Sequence, residues 1–148
     1  MADGLTDAGR DVLLRRISRL EDAITDRNTE IRRIQADIRI LSTERRSIIS
    51  YHNENSDIAS YSVGSLDTVA EESFRGVNRR KLDDFLGEMY DEITNQRDDH
   101  MSNVEIIDQK IEKLRGDIST LNDGNRADGV RITELRRALN SGSGPAPI

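Results

Sequence analysis

Two histidines, His52 and His100, share this chain with many carboxylates and with a knot of cations at Arg75, Arg79, Arg80 and Lys81. Imidazoles can ligate a metal or titrate near neutral pH, carboxylates can act as general acids or bases, and a basic knot at a helix start can hold phosphate. Each of these chemistries needs company that the sequence does not supply. There are no cysteines, and two histidines without an arranged carboxylate shell make a weak metal site. A pH switch would need both rings enclosed, whereas solvated histidine is the ordinary case. Glu71, Glu72, Asp83 and Asp84 flank the basic knot and cancel it, which leaves a solvated turn. Phosphate-loop, dinucleotide-glycine and histidine-glutamate metalloprotease patterns are absent. The sequence therefore predicts no catalytic residue, no metal, no cofactor and no enzyme.

What positions these side chains is helix. From Leu13 to Ile48, and again from Leu86 to Leu139, apolar residues recur at alternating steps of three and four, with Tyr90 and Ile93 among the second set. A narrow stripe with a seven-residue period lets two helices interlock, while a globular helix carries a broader apolar face. Composition agrees, because 34% of the 148 residues are hydrophobic, 34% are charged and 3% are aromatic. A compact domain of this size draws nearer half its residues from the apolar set, so a thin-seamed, elongated fold is expected.

The predicted fold is all-α, an antiparallel coiled-coil-like hairpin with long helices over about 8–50 and 78–140. Residues 1–7 read as a flexible segment, 8–140 as the hairpin domain and 141–148 as a disordered Gly, Ser and Pro tail. Thr6 or Asp7 can cap the first helix. Residues 51–67 are poor in helix formers, which predicts an irregular or kinked stretch, followed by a short helix with Thr68 and Glu71 as a capping box. The turn falls near 74–78, where Gly76 can take positive φ and Asn78 can cap the second helix; Phe74 completes this turn set.

Folding back at Gly76 lets Leu13 face Leu139, Ile34 face Ile118 and Ile48 face Val104. A slip of seven residues either way also matches apolar to apolar, so polar residues must choose the register. Only the stated one sets Arg27 opposite Asn125 with Asp128 one layer away, and puts His52 and His100 in a common layer. Such polar seam residues fix register at some cost in stability. Gly124 and Gly129 interrupt the second helix's seam, and a structural reading is favoured because Arg27 lies opposite. Leu14, Ile40, Ile49, Leu82, Phe85, Met89 and Ile106 fall off the seam and form the candidate partner-binding face.

The formal charge of −6, with charges that read as well mixed, argues against nucleic acid or anionic lipid as partner. No apolar run suffices for membrane insertion, and the first residues lack the basic start and apolar run of a signal peptide, so a cytoplasmic protein is expected.

Phe74-Arg75-Gly76 between two long amphipathic helices resembles the Trp-x-Gly turn of the helical-hairpin proteins of bacterial type VII secretion. The following run, Val77 to Phe85 and the long helix after it, resembles the YwqH-like members associated with LXG toxins. The resemblance covers nearly the whole chain, with Phe74 standing where that family carries Trp. It implies a cytoplasmic hairpin that pairs with a helical partner, such as the N-terminal domain of an LXG toxin or a related hairpin subunit, as a targeting factor or chaperone, and that is itself sometimes exported. The family's export signal, Tyr followed four residues later by an acidic residue, is missing at Tyr51, Tyr61 and Tyr90. Either the partner carries the signal or the chain lies outside the family. The competing reading is a structural homodimeric coiled-coil scaffold or spacer, since Ile at one seam position with Leu at the other favours two-stranded coils.

Overall fold

The structure, a computed structural model, describes residues 4–73 and 76–142, apart from the side chains of 58–73, 77 and 78. It consists of two helices, α1 over Asp7–Ser73 (67 residues) and α2 over Val77–Ser141 (65 residues), packed against each other as a helical hairpin. Among the described residues there is no strand. The sequence pattern accounts for this directly, since a seven-residue apolar stripe on each helix is satisfied by one antiparallel neighbour.

The helix ends follow side-chain and glycine chemistry. Thr6 caps α1: its Oγ1 accepts from Gly9 N–H at 3.1 Å and its carbonyl from Arg10 N–H at 2.8 Å. Gly142 ends α2 at φ 68°, and its carbonyl accepts from Leu5 N–H at 2.9 Å. The expected free segment before α1 is thus hydrogen-bonded at Leu5, which is half-buried. Residues 143–148 of the expected tail lie outside the described residues.

Two expectations about the middle of the chain are corrected. Residues 51–67 are helical, and α1 runs unbroken to Ser73, so Thr68 and Glu71 lie inside it rather than opening a separate helix. Weak helix formers cost only a few tenths of a kcal/mol each, and once a helix is nucleated each further residue adds a backbone hydrogen bond. Hydroxyls elsewhere in α1 show how polar side chains are accommodated: Thr25, Thr29 and Thr43 donate to the carbonyls of Glu21, Thr25 and Arg39 at 3.0–3.1 Å. Gly76 has φ 69° as expected of the turn, but α2 starts at Val77, so Gly76 and not Asn78 occupies the cap position. Its carbonyl accepts from Arg80 N–H at 3.2 Å. The side chain of Asn78 and all of Phe74 lie outside the described residues.

The hairpin divides into a terminal unit, Met1–Ile38 with Lys113–Ile148, and a turn unit, Arg39–Glu112. In the terminal unit Leu13, Ile17, Ile31, Ile34, Leu114 and Ile132 are buried, Leu13 completely. In the turn unit Leu86, Val104 and Ile111 are buried together with His52. Tyr90, placed in the seam by its spacing, is instead 64% exposed, as the polar tip of a phenol allows.

Candidate functional site

The polar layers of the seam come first, because they fix what faces what. In the terminal unit, Arg27 Nη1 donates to Asp128 Oδ2 at 2.6 Å, and the Asp128 side chain is only 7% exposed. Asn125 Nδ2 donates to Asn28 Oδ1 at 2.9 Å, and Arg136 pairs with Glu21. In the turn unit, Arg45 Nε donates to Asp108 Oδ1 at 2.6 Å, and the rings of His52 and His100 lie 5.9 Å apart at 87°. A slip of one heptad would move each of these pairs by roughly 10 Å along the axis, so they select the register in which His52 faces His100.

Gly124 is explained by the same layer. A β-carbon there would stand 3.1 Å from Arg27 Nε, whereas one at Gly129 would meet nothing within 4 Å. Gly124 makes room for the guanidinium that crosses to Asp128. The Oδ1 of Asn125 is buried with no hydrogen-bond partner among the described residues, so this layer favours register over full polar satisfaction.

The histidine layer is less enclosed. His52 is buried and His100 half-buried, with Tyr51 edge-on to His100 at 5.9 Å. Both imidazoles line an open groove of about 270 Å³ together with Asn55, Gln96 and Arg97. Among the described residues no three His, Cys, Asp or Glu side chains converge as a metal set.

The candidate partner-binding residues divide. Leu14, Ile40, Phe85 and Ile106 are 45–62% exposed, and large apolar side chains in water invite a partner. Ile49, Leu82 and Met89 are half-buried flanks of the seam. Val12, Tyr51, Tyr90, Met101 and Val130 are further exposed side chains that the off-seam reading passed over. Val12, Tyr51, Met101 and Val130 also lie off the two seam positions, so the heptad wheel could have found them.

Charge is not well mixed, contrary to the expectation drawn from whole-chain composition. Residues 39–112 carry 9 Lys or Arg against 16 Asp or Glu, net −7, while the other unit carries 13 against 12, net +1, together the chain's −6. From Leu82 to Gln109 Arg97 is the sole Lys or Arg, and the α1 stretch from Ser47 to Ser73 has neither. Averaging a nearly neutral unit with an acidic one hides this in the whole-chain composition.

No protein-family model matches the chain, and neither a curated protein nor a solved structure shows significant similarity to it.

Proposed function

We propose that this hairpin is a helical binding subunit, which pairs through the apolar side chains its own seam leaves in water with a second helical protein. The observation that carries this reading is the exposure of Ile40, Phe85 and Ile106, each more than half in solvent on a chain whose seam is otherwise closed by register-fixing polar pairs. Helix-in-groove and helix-on-helix recognition use such residues as anchors. The grooves among the described residues are open to solvent and do not shield carboxylates from water, a setting that suits binding better than acid–base catalysis.

The finer reading rests on the resemblance of the turn motif. Gly76 takes positive φ, which is compatible with such a turn, and a hairpin of two long helices is the architecture that the resemblance implies. In this reading the partner is the helical N-terminal domain of an LXG-type toxin, and the subunit acts as its targeting factor or chaperone. Co-expression with the helical domain encoded next to it tests the proposal. Co-elution as one species and a raised unfolding midpoint are expected, because a partner that binds only the folded state stabilises it. A protein that stays monomeric with an unchanged midpoint overturns the proposal, and a self-associating one that ignores its neighbour supports the scaffold alternative.

A further inference from the structure

On α2 the sequence places a carboxylate at every seventh residue: Asp84, Asp91, Asp98 and Glu105. The adjacent stripe, one residue on, reads Phe85, Glu92, Asp99 and Ile106. All eight side chains are exposed, and none of these carboxylates has an ion-pair partner among the described residues. Arg80 and Lys81 lie one turn before Asp84 and Arg97 lies beside Asp98, which leaves six carboxylates against three nearby cations. Among the described residues of this unit, Arg45 pairs with Asp108 and Arg79 with Asp83.

Residues seven apart on a helix lie on one line along a supercoil, so a second helix wound along α2 would meet the whole double stripe. Carboxylates one heptad apart stand roughly 10 Å apart along the axis, about one Debye length, and those of the adjacent stripe stand closer, so they repel one another most at low salt and a cationic neighbour removes that cost. Phe85 and Ile106, at the two ends of the apolar-acidic stripe, are 53% and 62% exposed. They offer anchors where the charges alone would give only loose attraction.

We propose that this double stripe is the docking line for a basic helix of another protein, one that carries Lys or Arg at seven-residue intervals beside an apolar residue at each end. This rests on the reading of the hairpin as a helical binding subunit and names the chemistry of its partner. The anionic field disfavours nucleic acid and anionic lipid, which share its sign. A second copy of the chain would bring the same field to the interface.

The test uses the full chain and three synthetic helical peptides of about four heptads. One carries Lys every seven residues with Leu beside it, one replaces Lys by Glu, and one keeps the Lys composition but scrambles its spacing. The protein variants are Asp84→Asn with Asp91→Asn, Asp98→Asn and Glu105→Gln on the stripe, and Asp11→Asn with Asp22→Asn, Asp26→Asn and Glu134→Gln in the terminal unit as a charge-matched control. Helicity by circular dichroism checks that both sets fold. The in-register Lys peptide is expected to bind in a salt-dependent manner, with the stripe variant weakening it about tenfold and the control variant less than about twofold. Equal weakening by both variants, or equal binding of the scrambled peptide, overturns the docking line, because net charge alone would then suffice. Binding of the Glu peptide in preference to the Lys peptide overturns the basic partner while leaving the binding-subunit reading intact. If no peptide binds and the co-expressed neighbour is also ignored, both readings fall together.

Discussion

In the terminal unit two ion pairs cross the seam and the charges nearly balance, whereas the turn unit has one such pair among the described residues, Arg45 with Asp108, and a net charge of −7. Arg27 reaches Asp128, Arg136 reaches Glu21, and a glycine at 124 clears the path for the first of these pairs. In the turn unit Asp91, Asp98 and Glu105 are exposed with no ion-pair partner among the described residues, and Phe85 and Ile106 stand beside them in water. Both regions use the same seven-residue scaffold. The difference teaches that the repeat only supplies the seam: whether a region closes on itself or stays available depends on which of the remaining positions carry charge, and on whether that charge is paired.

The sharpest way to break this comparison is in the core of the closed region. Leu13 is completely buried, and Leu13→Ala should lower stability by about 3 kcal/mol, a lost transfer contribution plus a cavity. Ile40→Ala, at a side chain 62% exposed, should change it by less than about 0.5 kcal/mol. Urea unfolding followed by circular dichroism measures both, and similar values would mean that Ile40 is already covered by the folded chain. Next in size is the polar layer. Asp128→Ala should cost about 2 kcal/mol, since it strands the Arg27 guanidinium beside a half-dry seam; adding Arg27→Met should recover most of that loss. A double mutant no better than the single one would mean that the pair contributes more than its own desolvation costs.

Much of this was legible in the sequence. The hairpin, the turn at Gly76, and the register in which His52 faces His100 all follow from apolar spacing combined with the few polar residues that would be buried unpaired in any other alignment. The unbroken helix through 51–67 was not legible, because a count of weak helix formers ignores the cooperativity that carries a helix across them and the placement of His52 on the seam. Thr68 and Glu71 matched a capping pattern whose spacing also occurs inside helices. Leu14, Ile40, Phe85 and Ile106 are exposed off the seam, while Ile49, Leu82 and Met89 are half-buried, because positions flanking a seam lie at its edge and not on the outer face. The acidic stripe was missed for a different reason: it is invisible in net composition and appears only when charge is counted along the same period as the apolar residues.

Glycine offers a finer comparison within α2. Gly129→Ala should stabilise by about 1 kcal/mol, because alanine is the better helix former and its β-carbon meets nothing. Gly124→Ala should forfeit that gain by pressing on Arg27, and should regain it in an Arg27→Ala background. Equal effects at the two glycines in the unmodified protein would show that Arg27 moves aside freely, and would remove the packing reason given for Gly124.

The smallest expected effect has an informative sign. Replacing Asp84, Asp91, Asp98 and Glu105 by their amides removes like-charge repulsion from the turn unit, so the isolated chain should become slightly more stable, by less than about 0.5 kcal/mol, at low salt. The gain should fade as added salt screens the same charges. The matched replacements at Asp11, Asp22, Asp26 and Glu134 act on a region whose charges nearly balance, and should bring no such gain. Surface carboxylates that weaken their own fold, yet repeat every seven residues beside exposed Phe85 and Ile106, are hard to account for by the needs of folding alone. If their removal instead destabilises the isolated chain, the stripe belongs to the intramolecular architecture and the contrast between a closed and an available region is lost.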